Sequence, residues 1–231
     1  MYGQDMIDRW QEVMEQIRQA AVAAGRDPRE VGLVAVSKNH PAEAVSALAA
    51  AGQQDFGENY VQEALDKRDH VTGDPIRWHF IGRLQTNKAK FLAGRFELIH
   101  SLDREKMARA LHDKCLERQV VQPVLLQVNI GREEQKGGVA ERETVELARL
   151  VAGLNGLDLQ GLMCMPPFFD SGDQARPFFA QLRQIKERLE SELGRSLPHL
   201  SMGMSGDFPA AIAEGATLVR IGTSIFGARE E

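Results

Sequence analysis

Lys38 is the first residue in the chain whose type and position could do chemistry. It follows an apolar run, residues 32–37, that has the composition of a buried strand. Side chains alternate along a strand, so Lys38 shares a side with Val34 and Val36. A lysine amine in an apolar surrounding loses its proton readily and can form a Schiff base with a carbonyl compound. Taken alone, however, the position favours an ordinary solvent-exposed lysine at a strand end.

Residues 199–205 are a second unusual stretch, because small polar and large apolar side chains alternate in it. One face carries His199, Ser201, Gly203 and Ser205, and the other carries Leu200, Met202 and Met204. The interior of a closed barrel is normally filled by branched apolar side chains. A small polar face leaves space for a planar polar ligand, and close packing through small residues explains it equally well.

Two short loops could hold a phosphate group. They are Ser205-Gly206-Asp207, before a predicted helix, and Gly222-Thr223-Ser224, after the last predicted strand. Small residues at the start of a helix present free backbone N–H groups, which bind anions. Ordinary helix capping, with Asp207 bonding its own helix, is the alternative.

Arg220 stands between two apolar residues of a predicted strand. A buried guanidinium needs an acceptor, because an unpaired buried charge is costly. The acceptor is either a ligand or a nearby carboxylate such as Glu58. Asn59 and His79 lie at the end of other strands or within them, and both could line the same opening. The six histidines show no metal-ligand spacing, so we expect no metal.

The elements that must position these residues alternate between strands and helices. The first is a helix that we expect Asp5 to cap and that should end near Gly25. Eight short apolar strands follow, at residues 32–37, 55–59, 77–81, 96–100, 124–129, 159–165, 199–204 and 217–221. The order predicts one α/β domain over residues 1–231, a single (β/α)8 TIM-type barrel with an extra N-terminal helix. An open, doubly wound sheet is the alternative. In a barrel, functional residues lie at the carboxyl ends of the strands.

Three residues predict where intervening helices begin and end. Pro41 suits the first turn of a helix that runs to Ala51. Asp103 is the candidate cap of the predicted helix that holds Met107, Leu111 and Cys115. Gly194 should end the long helix before the seventh strand.

Composition narrows the class of protein. The chain has 231 residues, of which 43% are hydrophobic and 26% charged, with a net charge of −5. The acidic balance argues against nucleic-acid binding, and no apolar run is long enough to span a membrane. Only Cys115 and Cys164 are cysteines, which argues against a disulfide framework. With no secretory signal in the first residues, we expect a cytoplasmic protein.

Several long motifs in one order resemble the pyridoxal phosphate homeostasis protein family, which looks like the barrel domain of alanine racemases. The resemblance covers residues 31–227 and is carried by Ala35-Val36-Ser37-Lys38, Phe56-Gly57-Glu58-Asn59-Tyr60-Val61-Gln62-Glu63, Trp78-His79-Phe80-Ile81-Gly82-Arg83-Leu84-Gln85-Thr86-Asn87-Lys88, Gly161-Leu162-Met163-Cys164-Met165, Leu200-Ser201-Met202-Gly203-Met204-Ser205, Val219-Arg220-Ile221-Gly222 and Ile225-Phe226-Gly227.

The resemblance implies a cofactor and a role for each site residue. Lys38 would carry pyridoxal 5′-phosphate (PLP) as a Schiff base, and Arg220 would meet the nitrogen of the pyridine ring. The phosphate would be held by Ser205, Gly206, Gly222 and Thr223. The ring would be lined by Asn59, His79, Ser201 and Met202.

The implied function is intracellular PLP (vitamin B6) homeostasis without dedicated catalysis and with no catalytic residue. Arginine only donates hydrogen bonds, so a ring nitrogen facing Arg220 stays unprotonated and draws electrons weakly. Racemases of this type take a second acid from a further domain, whereas this chain ends at Glu231 and its tyrosines are Tyr2 and Tyr60. A weakly active amino-acid racemase is the alternative, followed by a lysine Schiff-base aldolase and, remotely, a protein-binding scaffold.

The expected partners are PLP itself and apo forms of PLP-dependent enzymes, which could receive it. Lys136, in a glycine-flanked loop after the fifth strand, is a candidate second amine for such transfer, although an ordinary exposed loop lysine is slightly favoured. We expect a monomer, with no membrane or nucleic-acid partner.

Overall fold

Eight parallel strands form a closed barrel in the computed structural model, which describes residues 3–73 and 75–227. The strands follow each other around the barrel in chain order. They are β1 Gly32–Val36, β2 Asp55–Glu58, β3 Arg77–Phe80, β4 Leu98–Leu102, β5 Gln122–Val128, β6 Leu157–Cys164, β7 His199–Ser201 and β8 Leu218–Ile221. β8 pairs with β1 and closes the ring. The predicted TIM-type barrel is confirmed, and the open sheet is wrong.

Helices surround the barrel, and one precedes it. They are α1 Gln4–Ala23, α2 Ala42–Ala50, α3 Val61–His70, α4 Ala89–Leu92, α5 Glu105–Glu117, α6 Thr144–Ala152, α7 Arg176–Leu193, α8 Phe208–Ala213 and α9 Thr223–Phe226. The extra helix α1 lies against α8 and α9, where the Arg9 side chain donates to the Ile225 carbonyl. Within the described ranges, no helix has the length and apolar character that a membrane crossing requires.

The core has two layers, because side chains alternate along each strand. The layer between strands and helices is large and apolar, and Phe56, Phe80 and Ile99 are fully buried in it. The layer inside the barrel has a much smaller apolar cluster, made of Val34, Leu98, Leu125, Met163 and Leu218. Buried polar residues fill part of the remaining inner positions, so the barrel interior contains polar side chains beside this apolar cluster.

The strand bounds differ from the predicted ranges by one to three residues, and the differences are most marked at β4 and β7. β4 runs over Leu98–Leu102 instead of residues 96–100, and the Phe96 carbonyl accepts a hydrogen bond from the Gln122 side chain. β7 stops at Ser201 instead of continuing to Met204. Gly203 has a φ of +93°, and a Cβ there would lie 2.7 Å from that of Ala211, so the chain turns where only glycine fits.

The predicted helix ends are partly corrected. Gly3 and not Asp5 is the N-cap residue of α1, and Asp5 lies within its first turn. Arg104 and not Asp103 precedes α5, and the Asp103 carboxylate pairs with the Arg104 side chain. Pro41 is the residue before α2 rather than its first residue. Gly194 ends α7 as predicted, with a φ of 63°.

Candidate functional site

A cavity of about 690 Å³ opens at the carboxyl ends of the strands. Seven of the ten predicted cofactor-binding residues line it, namely Lys38, Asn59, Ser205, Gly206, Arg220, Gly222 and Thr223. They come from the ends of β1, β2 and β8 and from the loop after β7. The cavity therefore joins the lysine, the arginine and both small-residue loops that the sequence singled out separately.

Lys38 sits in a turn that is held at both flanking residues. The Lys67 ammonium donates to the Ser37 carbonyl over 2.7 Å, and the Glu63 carboxylate accepts from the Asn39 backbone N–H over 2.5 Å. Asn39 has a left-handed φ of 64°, a conformation that asparagine tolerates better than most residues. These contacts fix the backbone on each side of Lys38 and so limit where its amine can reach.

The contacts to this turn belong to an outer cluster of four residues between the barrel and α3: Ser37, Glu58, Glu63 and Lys67. Glu58 is fully buried, and one of its oxygens accepts from the Ser37 hydroxyl and the Lys67 ammonium, both over 2.7 Å. Its other oxygen, Oε2, is buried without a hydrogen-bond partner. Burial raises the pKa of Glu58 above its ordinary value, against the opposing pull of Lys67.

Arg220 is almost fully buried inside the barrel, at 4% exposure. Its guanidinium donates to the Ser201 hydroxyl over 2.7 Å and to the Cys164 carbonyl over 2.9 Å. In the ranges that the structure describes, no carboxylate forms an ion pair with it, and Glu58 pairs with Lys67 instead. The alternative of an Arg220–Glu58 pair is therefore wrong. Burial lowers the pKa of Arg220, although a guanidinium keeps its charge in proteins.

The two small-residue loops face the same cavity near Arg220. The Asp207 side chain does not cap α8, and its carboxylate accepts from the Met204 backbone N–H over 2.6 Å. A Cβ on Gly206 would meet nothing, whereas one on Gly222 would lie 3.1 Å from the Val36 carbonyl oxygen. The backbone at Gly222 therefore approaches β1 closely, and the cavity wall there is made of main chain.

Three predicted residues lie elsewhere. Met202 is fully buried among the apolar residues outside the barrel, so its side chain does not line the cavity. Ser201 is fully buried beneath Arg220. His79 lines a different cavity, of about 530 Å³, at the amino ends of the strands. Ile81, the residue directly after β3, lines the mouth where His79 was expected.

Ser201 and His79 are nevertheless connected to the mouth by an inner chain of hydrogen bonds that also includes His100. Arg220 donates to Ser201, the Ser201 hydroxyl lies 2.8 Å from His100 Nδ1, and His100 Nε2 lies 2.8 Å from His79 Nδ1. His79 Nε2 lies 2.9 Å from an Asp55 carboxylate oxygen. The inner chain, Arg220–Ser201–His100–His79–Asp55, thus runs from the mouth through the barrel to the opposite end.

Electrostatics at the two ends of the inner chain differ. Burial lowers the pKa of His100 well below its ordinary value, and His79, Arg220 and His199 act in the same direction. Burial alone would raise the pKa of Asp55, but hydrogen bonds from Arg77 and His79 lower it to about 2. At neutral pH, the middle of the chain is therefore uncharged at His100, and its far end is a carboxylate.

Sequence reasoning missed His100 and the outer cluster. A signal for His100 was present, because it falls inside an apolar strand and a buried histidine needs polar partners. Reasoning also missed several residues that line the mouth, including Ser101, Asp103 and Gln127 and the loop formed by residues 165–169.

Lys136 also lines the mouth, as its candidate role requires. Its ammonium donates to the Pro166 carbonyl over 2.6 Å and pairs with Glu133 over 2.6 Å. Phe168, on the same rim, is 90% exposed. Tyr60 is 58% exposed and does not line the cavity, and Tyr2 lies outside the described residues.

The sequence of the chain matches one family model over residues 7–230, that of the alanine racemase N-terminal domain. It is 44% identical to the pyridoxal phosphate homeostasis protein of Aquifex aeolicus over 223 residues, which covers 96% of this chain and 98% of that one. It is 48% identical to the protein of the same name from Pseudomonas aeruginosa over 218 residues, covering 94% and 93% of the two chains.

Solved structures share the fold. PipY of Synechococcus elongatus, solved with PLP bound, superposes with a TM-score of 0.86 at 35% identity and covers 96% of this chain and 100% of its own. Alanine racemase from Corynebacterium glutamicum superposes with a TM-score of 0.70 at 17% identity, over 98% of this chain and 62% of the racemase. The second likeness concerns the barrel alone.

Proposed function

This chain belongs to the pyridoxal phosphate homeostasis protein family and carries the alanine racemase N-terminal domain, and on that premise we propose that it binds PLP and takes part in vitamin B6 homeostasis in the cytoplasm. One observation carries the proposal. Lys38 and the buried Arg220, which has no carboxylate partner among the described residues, open into one cavity together with two small-residue loops.

The residues fit this cofactor. PLP supplies an aldehyde that bonds an amine, a ring nitrogen that accepts a hydrogen bond, and a phosphate. Lys38 provides the amine, and a Schiff base between the two is part of the proposal. Arg220 donates to the ring nitrogen. Ser205, Gly206, Gly222 and Thr223 offer hydroxyl and backbone donors to the phosphate, and Asn59 borders the ring.

We further propose that the protein holds the cofactor without a dedicated reaction. Strong electron withdrawal by the ring needs a protonated nitrogen, and a guanidinium does not give up a proton to it. Racemisation also needs a second acid or base opposite Lys38, and Tyr60 is exposed outside the cavity. A weak racemase remains the second candidate, because the barrel resembles that of alanine racemase.

Holding without reaction suits storage and delivery. The cavity that holds Lys38 opens at the carboxyl ends of the strands, with the exposed Phe168 on its rim, and this opening favours the approach of an incoming amine to a cofactor bound at Lys38. Apo forms of PLP-dependent enzymes are the proposed recipients, and Lys136 is the proposed second amine at the mouth. The proposal takes residues 1–231 as one PLP-binding barrel domain that acts as a monomer.

The test is the visible absorption spectrum of the purified protein with added PLP. We expect a Schiff-base band that borohydride removes, with the label recovered on the peptide that holds Lys38. Lys38→Ala should lose the band, whereas Lys90→Ala, a change at an exposed lysine outside the cavity, should keep it. Labelling at Lys136 instead would move the attachment site, and a parent without the band would favour the aldolase alternative.

A second measurement separates the carrier from the racemase. We expect α-deuterated alanine to keep its deuterium when incubated with the PLP-loaded protein, because an unprotonated ring nitrogen facing Arg220 withdraws electrons only weakly. Lys38→Ala loaded with PLP serves as the blank. Washout of deuterium by the parent at a rate well above the blank would establish the racemase and refute the proposed absence of dedicated catalysis.

A further inference from the structure

With neutral imidazole rings, the inner chain has one hydrogen-bond direction, which its two ends determine. Asp55 is ionised at neutral pH and can only accept, so His79 must carry its hydrogen on Nε2. A neutral His79 then accepts at Nδ1, and His100 Nε2 must donate to it. At the other end, the Arg220 guanidinium can only donate, so the Ser201 oxygen accepts from it.

The same logic determines the middle of the chain. With its hydrogen on Nε2, His100 accepts at Nδ1, and the Ser201 hydroxyl is the donor that lies 2.8 Å away. Neutral His79 and His100 are then both Nε2–H tautomers, and every bond points from Arg220 towards Asp55. Aligned hydrogen bonds of this kind polarise one another, which strengthens each of them.

We propose that Asp55, His79, His100 and Ser201 are positioning residues that hold the Arg220 guanidinium at the ring nitrogen of the bound cofactor. This proposal rests on the proposed function. The Arg220 guanidinium donates to two protein groups, the Ser201 hydroxyl and the Cys164 carbonyl. These two hydrogen bonds determine the plane of the guanidinium and therefore the direction of its other N–H groups. Through the inner chain, the hydrogen bond between Arg220 and Ser201 depends on His79 and Asp55 at the far end of the barrel.

The surroundings of His100 favour the neutral state on which this direction depends. Around His100 lie His79 on β3, His199 on β7 and Arg220 on β8, all of which disfavour a positive charge on it. Asp55 on β2 and Arg77 on β3 lie at the outer end, where Arg77 contributes two hydrogen bonds to the Asp55 carboxylate. Those bonds keep Asp55 an acceptor at neutral pH.

The direct test reads the tautomers. Long-range proton–nitrogen correlation spectra of the nitrogen-15-labelled protein show which ring nitrogen of each histidine bears the hydrogen. We expect Nε2–H for both His79 and His100 at neutral pH, in the protein with and without PLP. A hydrogen on Nδ1 of either ring would reverse the chain at that point and overturn the proposal.

Variants test the consequence for the cofactor. His100→Leu interrupts the chain, whereas the amide of His100→Gln can still accept from Ser201 and donate to His79. We expect His100→Leu to weaken PLP binding about tenfold to a hundredfold, as the loss of support for a charged hydrogen-bonded group implies, and His100→Gln to stay within about threefold. Ser201→Ala should match His100→Leu, because it removes the acceptor for Arg220.

The outcomes separate this proposal from the proposed function. If His100→Leu does not fold, Ser201→Ala and the tautomer spectra decide the matter. Parental affinity for PLP in both Ser201→Ala and His100→Leu would refute the positioning role. A parent that binds no PLP overturns the proposed function and this proposal together, whereas wrong tautomers in a PLP-binding parent overturn this proposal alone.

Discussion

The inner chain beneath Arg220 and the outer cluster beside Lys38 both place a basic side chain at the mouth, but they do so by different means. The inner chain has a neutral His100 in its middle and no orphaned buried atom among its described side chains. The outer cluster buries Glu58 and Lys67 as an ion pair and leaves Glu58 Oε2 without a partner. Removing one member of a buried ion pair costs most, whereas removing the neutral His100 loses mainly hydrogen bonds.

The difference suits the two residues that are placed. Arg220 must stay fixed and charged, and a chain of neutral groups adds no competing charge beside it. Lys38 needs a backbone turn held firmly while its side chain remains able to react, and the outer cluster bonds the main chain at Ser37 and Asn39. Each network therefore holds a different part of its residue.

Removing the cation of the outer cluster should give the largest effect. We expect Lys67→Met to lower the free energy of unfolding by about 3–5 kcal/mol, because it leaves Glu58 buried without its cation. Urea denaturation measures this loss. The matched control is Lys114→Met, which breaks an exposed pair with Glu117 and should cost about 1 kcal/mol or less.

A double variant sharpens the same point. Glu58→Gln combined with Lys67→Met removes both charges and should be more stable than Lys67→Met alone, since no uncompensated charge stays buried. If the double variant loses the sum of the two single losses, the pair does not act as a unit, and the contrast with the inner chain fails.

Acidification should affect the two networks with opposite signs and a smaller magnitude. The pKa of Asp55 falls from 3.8 to about 2 on folding, so its contribution is fully present above pH 3.8 and is lost as the pH falls through about 2. That shift corresponds to about 2 kcal/mol. The pKa of Glu58 is raised instead, so its contribution is present below 4.5 and is lost as the pH rises through its folded value.

The measurement is the free energy of unfolding as a function of pH for the parent, Asp55→Asn and Glu58→Gln. We expect Asp55→Asn to flatten the acid limb of the parental curve. Glu58→Gln should leave that limb unchanged and remove a decline on the other side of pH 4.5. Curves of the same shape for both variants would mean that the two carboxyl groups are not in different environments.

The residues at the carboxyl ends of the strands could be predicted approximately, because an apolar run indicates a buried strand and a charged or small residue follows it where the strand reaches the mouth. Lys38, Asn59 and Arg220 therefore fell at the mouth as expected. The depth of a residue inside the barrel was harder to predict. His79 lies two residues before Ile81 on β3, which is about 7 Å further from the mouth at the usual rise of a strand. That distance is enough to move it from the candidate site to the interior.

The sequence misled where a single backbone angle ended a pattern. The alternation through residues 199–205 would have put Ser201 and Ser205 on one face, but the left-handed turn at Gly203 breaks it. Side-chain pairs that form between separate elements of the fold could not be predicted from the sequence either. Glu58 and Lys67 are separated by a turn and most of α3, and their pairing depends on how that helix returns over the barrel.

The inner chain does not conduct protons between its two ends. Every hydrogen bond of the inner chain points towards Asp55, so a proton at that end meets the donor N–H of His79 and finds no lone pair through which to enter the chain. At the mouth, a guanidinium keeps its own protons and has no lone pair to receive another. The inner chain therefore orients the Arg220 side chain but does not carry protons to the mouth. Solvent at the amino ends of the strands cannot titrate the ring nitrogen of a cofactor bound at the mouth through this chain.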